Sequence, residues 1–258
     1  MNPHLSRITL YPLKSLDGQD VEEAVVLRNA GLRHDREFCL LDAAGNTLNT
    51  KRLGAALARV RSVVHFGFGE MSLRDGAGEE TFHLERDRAK IEAWFSERLA
   101  QKVQFVQDAE RGFPDDTDVP GPTLISTATL EEVGSWFGLD LEETRRRFRA
   151  NLEITGVPAF WEDQLYGPVG ETVRFHIGEV AIDGVQPCAR CTVPSLDSSS
   201  GEIPEPGFAK IFAEKRQATL PQWAERSRFD HFYRLSVNTR IPASEAGKEL
   251  QVSDEVEW

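Results

Sequence analysis

The sequence predicts an α+β protein that is rich in β-structure, with strands arranged as barrels and only a few helices. Two observations support this class: short runs of Ile, Leu and Val bounded by Gly, Pro and Asp recur along the chain, and segments with helical periodicity are few. Strands and helices do not alternate regularly, so barrels fit the pattern better than a doubly wound parallel sheet.

The N-terminal part of the chain is predicted to be mostly strands. These lie at residues 7–13, 22–27, 58–66 and 80–84. Residues 36–50 form two apolar runs around Ala-Ala-Gly-Asn, which predicts a hairpin because Gly45 and Asn46 tolerate positive φ. The first helix follows, with an apolar stripe of Ile91, Trp94, Phe95 and Leu99.

The segment 108–123 is rich in acid, Gly and Pro, and predicts a domain boundary. We therefore expect a β-barrel-like domain at residues 1–115 and a second barrel domain at 116–258. In the second domain, Thr129 and Asp140 are predicted to cap two helices. Strands are expected at 152–154, 172–177 and 179–185, with a helix at 207–216 and strands towards the end of the chain.

The charge of the chain argues against two classes of partner. With 42 acidic and 30 basic side chains among 258 residues, the formal charge is -12, which opposes attraction to nucleic acid polymers or anionic membrane surfaces. No apolar run approaches the roughly 20 residues of a membrane span, and no secretory leader is visible at the start. Three cysteines are too few for a disulfide framework. We expect a cytoplasmic protein.

The pair Cys188 and Cys191, in the segment GVQPCARCTVPSLD, is the main candidate for chemistry. Structural zinc takes four ligands, and this chain has one close pair plus a distant Cys39, which is expected in the core. A thioredoxin-like dithiol requires a helix start after the pair, where Pro194 resists one. The pair could also be two buried small side chains. Against that, the charge of Arg190 favours a thiolate in a loop that can line a pocket.

Several segments of the chain resemble one known family. The run LYPLKS, with the Asp-Arg pair at 35–36, is similar to the N-terminal β-barrel domain that precedes MOSC domains. The runs RFRAN and PCARC, followed by Asp197 and Gly-Glu, resemble the MOSC domain itself, although Ala150 replaces the usual proline. The resemblance covers nearly the whole chain, and its most specific part is the cysteine segment.

The resemblance implies an enzyme that is similar to the mitochondrial amidoxime-reducing component and its bacterial relatives. Such an enzyme binds molybdenum-molybdopterin and reduces N-hydroxylated compounds, including amidoximes and hydroxylamino bases. By the resemblance Cys191 is the metal ligand and catalytic residue, and a soft thiolate suits this metal. The remaining expected cofactor-binding residues are Lys14, Ser15, Arg36, Ser126, Arg149, Asn151 and Arg190.

Electrons for this reaction are expected from a separate flavin-containing or iron-sulfur reductase. The sequence has no further cysteine cluster and no Gly-x-Gly-x-x-Gly motif. Two other functions remain open: a sulfur carrier that holds a persulfide on Cys191, and a module that stores the cofactor without turnover. The acid pair Glu162 and Asp163 is expected to be exposed, as is the arginine run 145–147 on a helix face.

Overall fold

The computed structural model describes residues 2–258 and confirms the α+β class. The strands are β1 (His4–Leu10), β2 (Gln19–Val21), β3 (Glu23–Val25), β4 (Phe38–Leu41), β5 (Arg61–His65), β6 (Glu70–Asp75), β7 (Gly78–His83), β8 (Gln104–Gln107), β9 (Leu124–Ser126), β10 (Leu152–Thr155), β11 (Val173–Ile177), β12 (Val180–Ala189), β13 (Arg234–Arg240), β14 (Glu249–Gln251) and β15 (Val256–Glu257). The helices are α1 (Thr50–Leu53), α2 (Ala55–Ala58), α3 (Arg88–Arg98), α4 (Thr127–Phe137), α5 (Leu141–Phe148) and α6 (Phe208–Ala218).

The expected barrels are not closed. Eight strands form one sheet in the order β15-β11-β12-β13-β9-β10-β1-β2, and the smaller sheets contain two or three strands. The first and last parts of the chain are joined by an isolated bridge between His4 and Glu255 and by a few backbone hydrogen bonds around it, which do not extend into a ladder between β1 and β15. The sheet therefore curves round without a continuous hydrogen-bonded seam.

The hairpin predicted at residues 36–50 forms, although its second arm is short: Leu41 bridges Thr47, and the amide of Leu48 donates to the carbonyl of Leu40 at 2.8 Å. Strand β4 pairs antiparallel with β8, and Cys39 lies opposite Val106, fully buried as expected. The turn itself is present, because the Asp42 carboxylate accepts hydrogen bonds from two backbone amides within it. The chain then enters α1 and α2 instead of a second long strand.

Helix caps explain where α4 and α5 begin. Ser126, the last residue of β9 and three positions before the predicted cap Thr129, is the N-cap of α4, and its Oγ accepts from the amide of Thr129 at 3.1 Å. Thr129 is therefore inside the helix and not its cap. Asp140 caps α5 as expected, since its Oδ1 accepts from the amide of Glu143 at 2.7 Å.

The core is divided into three clusters. One lies against the eight-stranded sheet and includes Leu5, Ile8 and Val237, so β1 packs with strands from the second half of the chain. A second cluster draws only on residues between Leu13 and Phe105, and a third joins α4, α5 and α6. The division near residue 115 stays a prediction. No helix among residues 2–258 is long and apolar enough to cross a membrane.

Candidate functional site

A cleft of about 440 Å³ contains most of the residues expected at the site. Its wall brings together side chains from distant parts of the sequence, among them Ser15, Arg36, Asp115, Arg149, Asn151 and Cys191. Ser15 and Arg36 thus share the cleft wall with the cysteine segment. A second cavity of about 120 Å³ adjoins the cleft and shares Ser15 and Arg149 with it.

The two cysteines have different surroundings. Strand β12 carries Cys188 near its end, and Cys191 lies in the loop that follows; both are half-buried, free thiols in the cleft wall. The Arg190 Nη1 lies 3.4 Å from the sulfur of Cys188. No side-chain hydrogen bond joins Cys191 to any of residues 2–258. The charge of Arg190 is therefore directed at the first cysteine of the pair, while the second remains available to a ligand.

Arg190 is held in place by the backbone around it. Its Nη2 donates to the carbonyl of Phe148, and its guanidinium lies 5.4 Å from the centroid of the Phe148 ring. Its own amide donates to the carbonyl of Tyr233 at 3.0 Å. The Nε of Arg190 has no partner among the described residues, so one buried donor remains free.

Asn151 positions Arg36 and leaves no donor for a ligand. Its Nδ2 donates to the carbonyl of Thr9 and to Asp35, both at 3.0 Å, and its Oδ1 lies 3.4 Å from Arg36 Nη1. Arg36 also forms an ion pair with Asp35. Asn151 is only 2% exposed, and both groups of its amide are occupied by protein partners. Its side chain therefore orients the guanidinium of Arg36 and offers no free hydrogen-bonding group to a ligand.

Lys14 reaches the cleft only through Asp115. Its ammonium donates to the carbonyls of Phe113 and Pro114 and forms an ion pair with Asp115 Oδ1 at 2.9 Å. Asp115 Oδ2 lies 3.7 Å from Arg36 Nε. Burial alone would raise the pKa of Asp115, but Arg36, Lys14 and Arg149 outweigh it and hold that pKa well below its usual range. Sequence reasoning missed this carboxylate.

Arg149 is a half-buried cation of the cleft wall without a carboxylate partner in the described part of the chain. Its guanidinium lies 4.1 Å from the centroid of the Tyr11 ring, and no ion pair or side-chain hydrogen bond joins it to another of residues 2–258. Burial lowers its pKa from the ordinary arginine value. Arg36 lies against the same ring at 5.3 Å. Tyr11 therefore separates two guanidinium groups that both face the cleft.

Three of the expected site residues have a left-handed backbone. Ser15, Arg36 and Arg149 have φ of 74°, 52° and 53°. This region is sparsely populated by residues other than glycine and is common at ligand sites that the surrounding structure holds in place. For Arg149 it follows from its position as the C-cap of α5, where the chain leaves the helix.

The structure does not bring Ser126 to the cleft. The side chain is fully buried, caps α4 and donates to Thr129 Oγ1 at 2.8 Å. Its hydroxyl is thus committed within the helix start. The expected contact between Ser126 and a cofactor stays a prediction without geometric support.

The acid pair and part of the arginine run are buried, contrary to expectation. Glu162 and Asp163 are 1% and 3% exposed, and Asp163 forms an ion pair with the equally buried Arg216. Arg147 is also only 3% exposed, and its Nε lies 2.6 Å from Glu143 Oε1. The prediction that Glu162, Asp163 and Arg147 are exposed was wrong. The partner that compensates a buried charge cannot be identified from the local sequence.

Comparisons with known proteins identify the two domains of the chain. The model of the MOSC N-terminal beta barrel domain matches residues 2–141, and that of the MOSC domain matches residues 123–257. The molybdenum cofactor sulfurase of Oryza sativa subsp. japonica is 23% identical over 248 residues, covering 78% of this chain and 29% of the relative. The molybdenum cofactor sulfurase of Drosophila grimshawi is 28% identical over 235 residues with the same coverage.

The chain therefore spans less than a third of the length of these curated relatives. Among solved structures, the YUAD protein from Bacillus subtilis aligns with a TM-score of 0.44 at 12% identity, covering 100% of this chain and 95% of that one. Because the two domain models together extend over residues 2–257, the chain belongs to the MOSC-domain family and carries the MOSC N-terminal beta barrel domain before its MOSC domain.

Proposed function

We propose that the chain is a cytoplasmic, molybdenum cofactor-dependent reductase of N-hydroxylated compounds such as amidoximes and hydroxylamino bases. The observation that carries the proposal is the Cys191 thiol, which lies half-buried in the wall of the 440 Å³ cleft and has no hydrogen-bond partner among residues 2–258. A thiolate is a soft ligand of the kind that this metal accepts. The names of the curated relatives add support for the cofactor.

The other groups of the cleft fit the polar end of molybdopterin, which carries a phosphate. Arg149 offers a guanidinium with no carboxylate partner, and Arg36 lies beside it across the Tyr11 ring. Guanidinium groups match phosphate oxygens with paired hydrogen bonds. The unpartnered Nε of Arg190 supplies a further donor near the cysteines. When bound, the cofactor supplies a two-electron redox centre.

The chain's own residues then have separate tasks. Arg36 and Arg149 bind and neutralise the anionic end of the cofactor, and Asn151 with Asp35 orients Arg36. Cys191 provides the ligand, and Arg190 Nη1 donates to the sulfur of the neighbouring Cys188. The cleft is large enough to admit a small N-hydroxylated substrate beside these groups. Electrons are supplied by a separate flavin-containing or iron-sulfur reductase.

A sulfur carrier is the second candidate, favoured by two observations. The relatives are named molybdenum cofactor sulfurases, and the guanidinium of Arg190 lies 3.4 Å from the sulfur of Cys188. In this alternative Cys191 carries a persulfide, and the contact between Arg190 and Cys188 holds the neighbouring loop in place.

Metal analysis of the native protein, followed by a turnover assay, separates these functions. We expect molybdenum and pterin near one equivalent per chain, and reduction of an amidoxime by the loaded protein with reduced viologen dye. A protein that contains no molybdenum but accepts labelled sulfur on Cys191 would favour the carrier. Full molybdenum content without turnover of any N-hydroxylated compound would instead indicate cofactor storage.

A further inference from the structure

The segment at residues 113–116, Phe-Pro-Asp-Asp, forms part of the cleft wall, and we call it the acidic strap. Its two carboxylates make different contacts. Asp115 pairs with Lys14 and lies near Arg36, whereas Asp116 accepts hydrogen bonds from Gln186 and Asn238, both at 3.3 Å. Asp116 thus fastens the strap to β12 and β13, and Asp115 is left to neutralise the cations of the opposite wall.

Asp115 stands between Lys14 and the cleft. The ammonium of Lys14 has three donors, and the contacts at 2.7, 2.9 and 2.9 Å to Phe113, Pro114 and Asp115 use all of them. Asp115 lines the cleft while Lys14 does not. An anionic ligand can therefore reach Lys14 only where the Asp115 carboxylate now lies.

The side chain of Asp115 is far more exposed than the cations that it contacts. It is 68% exposed, whereas Lys14 and Arg36 are 11% and 12% exposed. A carboxylate that turns outward is hydrated by solvent, but the two cations that it leaves are not. Withdrawal of Asp115 therefore leaves two largely buried cations without a counter-charge unless another anion replaces it.

We propose that Asp115 is an internal competitor for the anion site of the cleft, and that it makes this site selective for dianions such as phosphate over monoanions. A monoanion that displaces Asp115 gains no charge neutralisation, because it replaces one negative charge by another. A phosphate dianion adds a second charge that Arg149 can receive. The inference rests on the proposed function only for the identity of the natural ligand.

The test is a calorimetric titration of the full chain, purified from cells that cannot make the pterin cofactor, with inorganic phosphate and with acetate at about pH 8, where phosphate is a dianion. We expect Asp115→Asn to bind phosphate about tenfold more tightly than the wild type. This is the gain in affinity that follows when a competitor that occupies the site about nine-tenths of the time is removed. We also expect it to gain acetate binding that the wild type lacks.

Asp118→Asn is the matched control. Asp118 is exposed, lies close after the strap and loses the same charge, but its side chain does not line the cleft. Its phosphate affinity should stay at the wild-type value. Asp115→Glu keeps the charge and should not gain acetate binding. Melting temperatures measured without ligand verify that each variant is folded. If Asp115→Asn is unfolded, Asp115→Ser is titrated in its place.

An Asp115→Asn variant with unchanged or weaker phosphate affinity would overturn the proposal, as would an equal gain in Asp118→Asn. The titration requires neither molybdenum nor turnover. A native protein without molybdenum would therefore contradict the proposed reductase function, and the titration would still test the role of Asp115. A working reductase whose Asp115→Asn variant gains nothing would remove only the role of Asp115.

Discussion

Cys188 and Cys191 are three positions apart, yet only the first is in contact with a cation. Arg190 lies 3.4 Å from the sulfur of Cys188 and is fixed by the carbonyl of Phe148. Cys191 has no such partner among the described residues. The pair therefore consists of one thiol that belongs to the protein's own contacts and one that is available to a ligand.

The first prediction follows from this difference. Cys191→Ser should reduce the molybdenum content to below about a tenth of the wild-type value, because an alcohol is a hard and protonated ligand in place of a thiolate. Cys188→Ser serves as the matched control and should retain most of the metal. Elemental analysis of both purified variants measures the effect. Equal loss of metal in both would indicate a site built from the two thiols together.

Glu162 is a buried carboxyl group whose ionisation opposes folding. Burial first, and then the neighbouring Asp163, raise its pKa from 4.5 to about 7, while Thr129 donates to its Oε2 at 3.1 Å. The other oxygen has no partner among the described residues. Between these two pKa values the folded chain holds a proton that the unfolded chain has released. The free energy of unfolding therefore falls as the pH rises through this window.

The second prediction concerns that pH dependence. The pKa shift of Glu162 from 4.5 to about 7 corresponds to a loss of unfolding free energy on the order of 3 kcal/mol between low and high pH. The neutral side chain of Glu162→Gln should avoid this loss. The variant should match the wild type near pH 4 and melt at a higher temperature at pH 8. Glu131→Gln, an exposed position on α4, is the control and should leave the profile unchanged. A wild-type profile in Glu162→Gln would contradict the assignment.

At the scale of elements, β12 is the strand that positions the cysteine segment. It pairs with β11 on one side and with β13 on the other, and its register shifts twice on the side of β13. At Gly184 the strand packs tightly against the backbone of Leu165. A Cβ atom at Gly184 would lie 1.8 Å from the carbonyl oxygen of Leu165. Only glycine permits this approach without displacement of the strand.

The third prediction tests this close contact. Gly184→Ala should cost roughly 1–3 kcal/mol or more, because the backbone must move to admit the methyl group. The displacement continues along β12 towards Cys188, so we also expect a lower molybdenum content. Gly76→Ala is the control, since a Cβ there meets no atom within 4 Å. Chemical denaturation measures both variants, and equal stability would show that the strand adapts without strain.

Elements with a strong local signal could be predicted from the sequence. The cap at Asp140 and the stripe of α3 follow from nearby residues, and the structure confirms both helices. The hairpin at 36–50 forms around its turn, whereas the additional pairing of β4 with β8, far along the chain, was not predicted. Long-range pairing leaves no mark in the local pattern.

The site shows the same division. The cysteine segment and the cations Arg36 and Arg149 were predicted from motifs, and the structure brings them to one cleft. Asp115 was missed because its segment lacks periodicity and its partners precede it by far in the sequence. The burial of Asp163 was missed because Arg216 lies 53 positions away.

At the scale of the whole molecule, the supply of electrons is the main consequence of the composition. An iron-sulfur cluster needs four ligands, and the chain contains three cysteines, of which the proposed function assigns Cys191 to molybdenum. No Gly-x-Gly-x-x-Gly motif for a nicotinamide or flavin is present in the sequence. The proposed reductase function therefore includes a partner that delivers electrons to the cleft.

The fourth prediction is that the loaded protein reduces an amidoxime with reduced viologen dye but not with NADH or NADPH. Activity with a nicotinamide should appear only after a flavin-containing reductase is added. Absorbance of the dye and of the nicotinamide follows both reactions, and the Cys191→Ser variant is the blank. Nicotinamide-dependent turnover by the homogeneous protein would contradict the need for a partner.

The meeting of the first and last strands also sets the order in which the chain can fold. Backbone hydrogen bonds join Leu5 to Asp254 and Pro3 to Val256, across almost the whole sequence. The cluster between Leu13 and Phe105 has no such requirement and can condense early during synthesis. The first part of β1, around Leu5, must then wait with one edge unpaired until the end of the chain is made, whereas residues 8–10 of β1 can already pair with β2. Such late closure is slow, and it exposes a strand edge to aggregation during refolding.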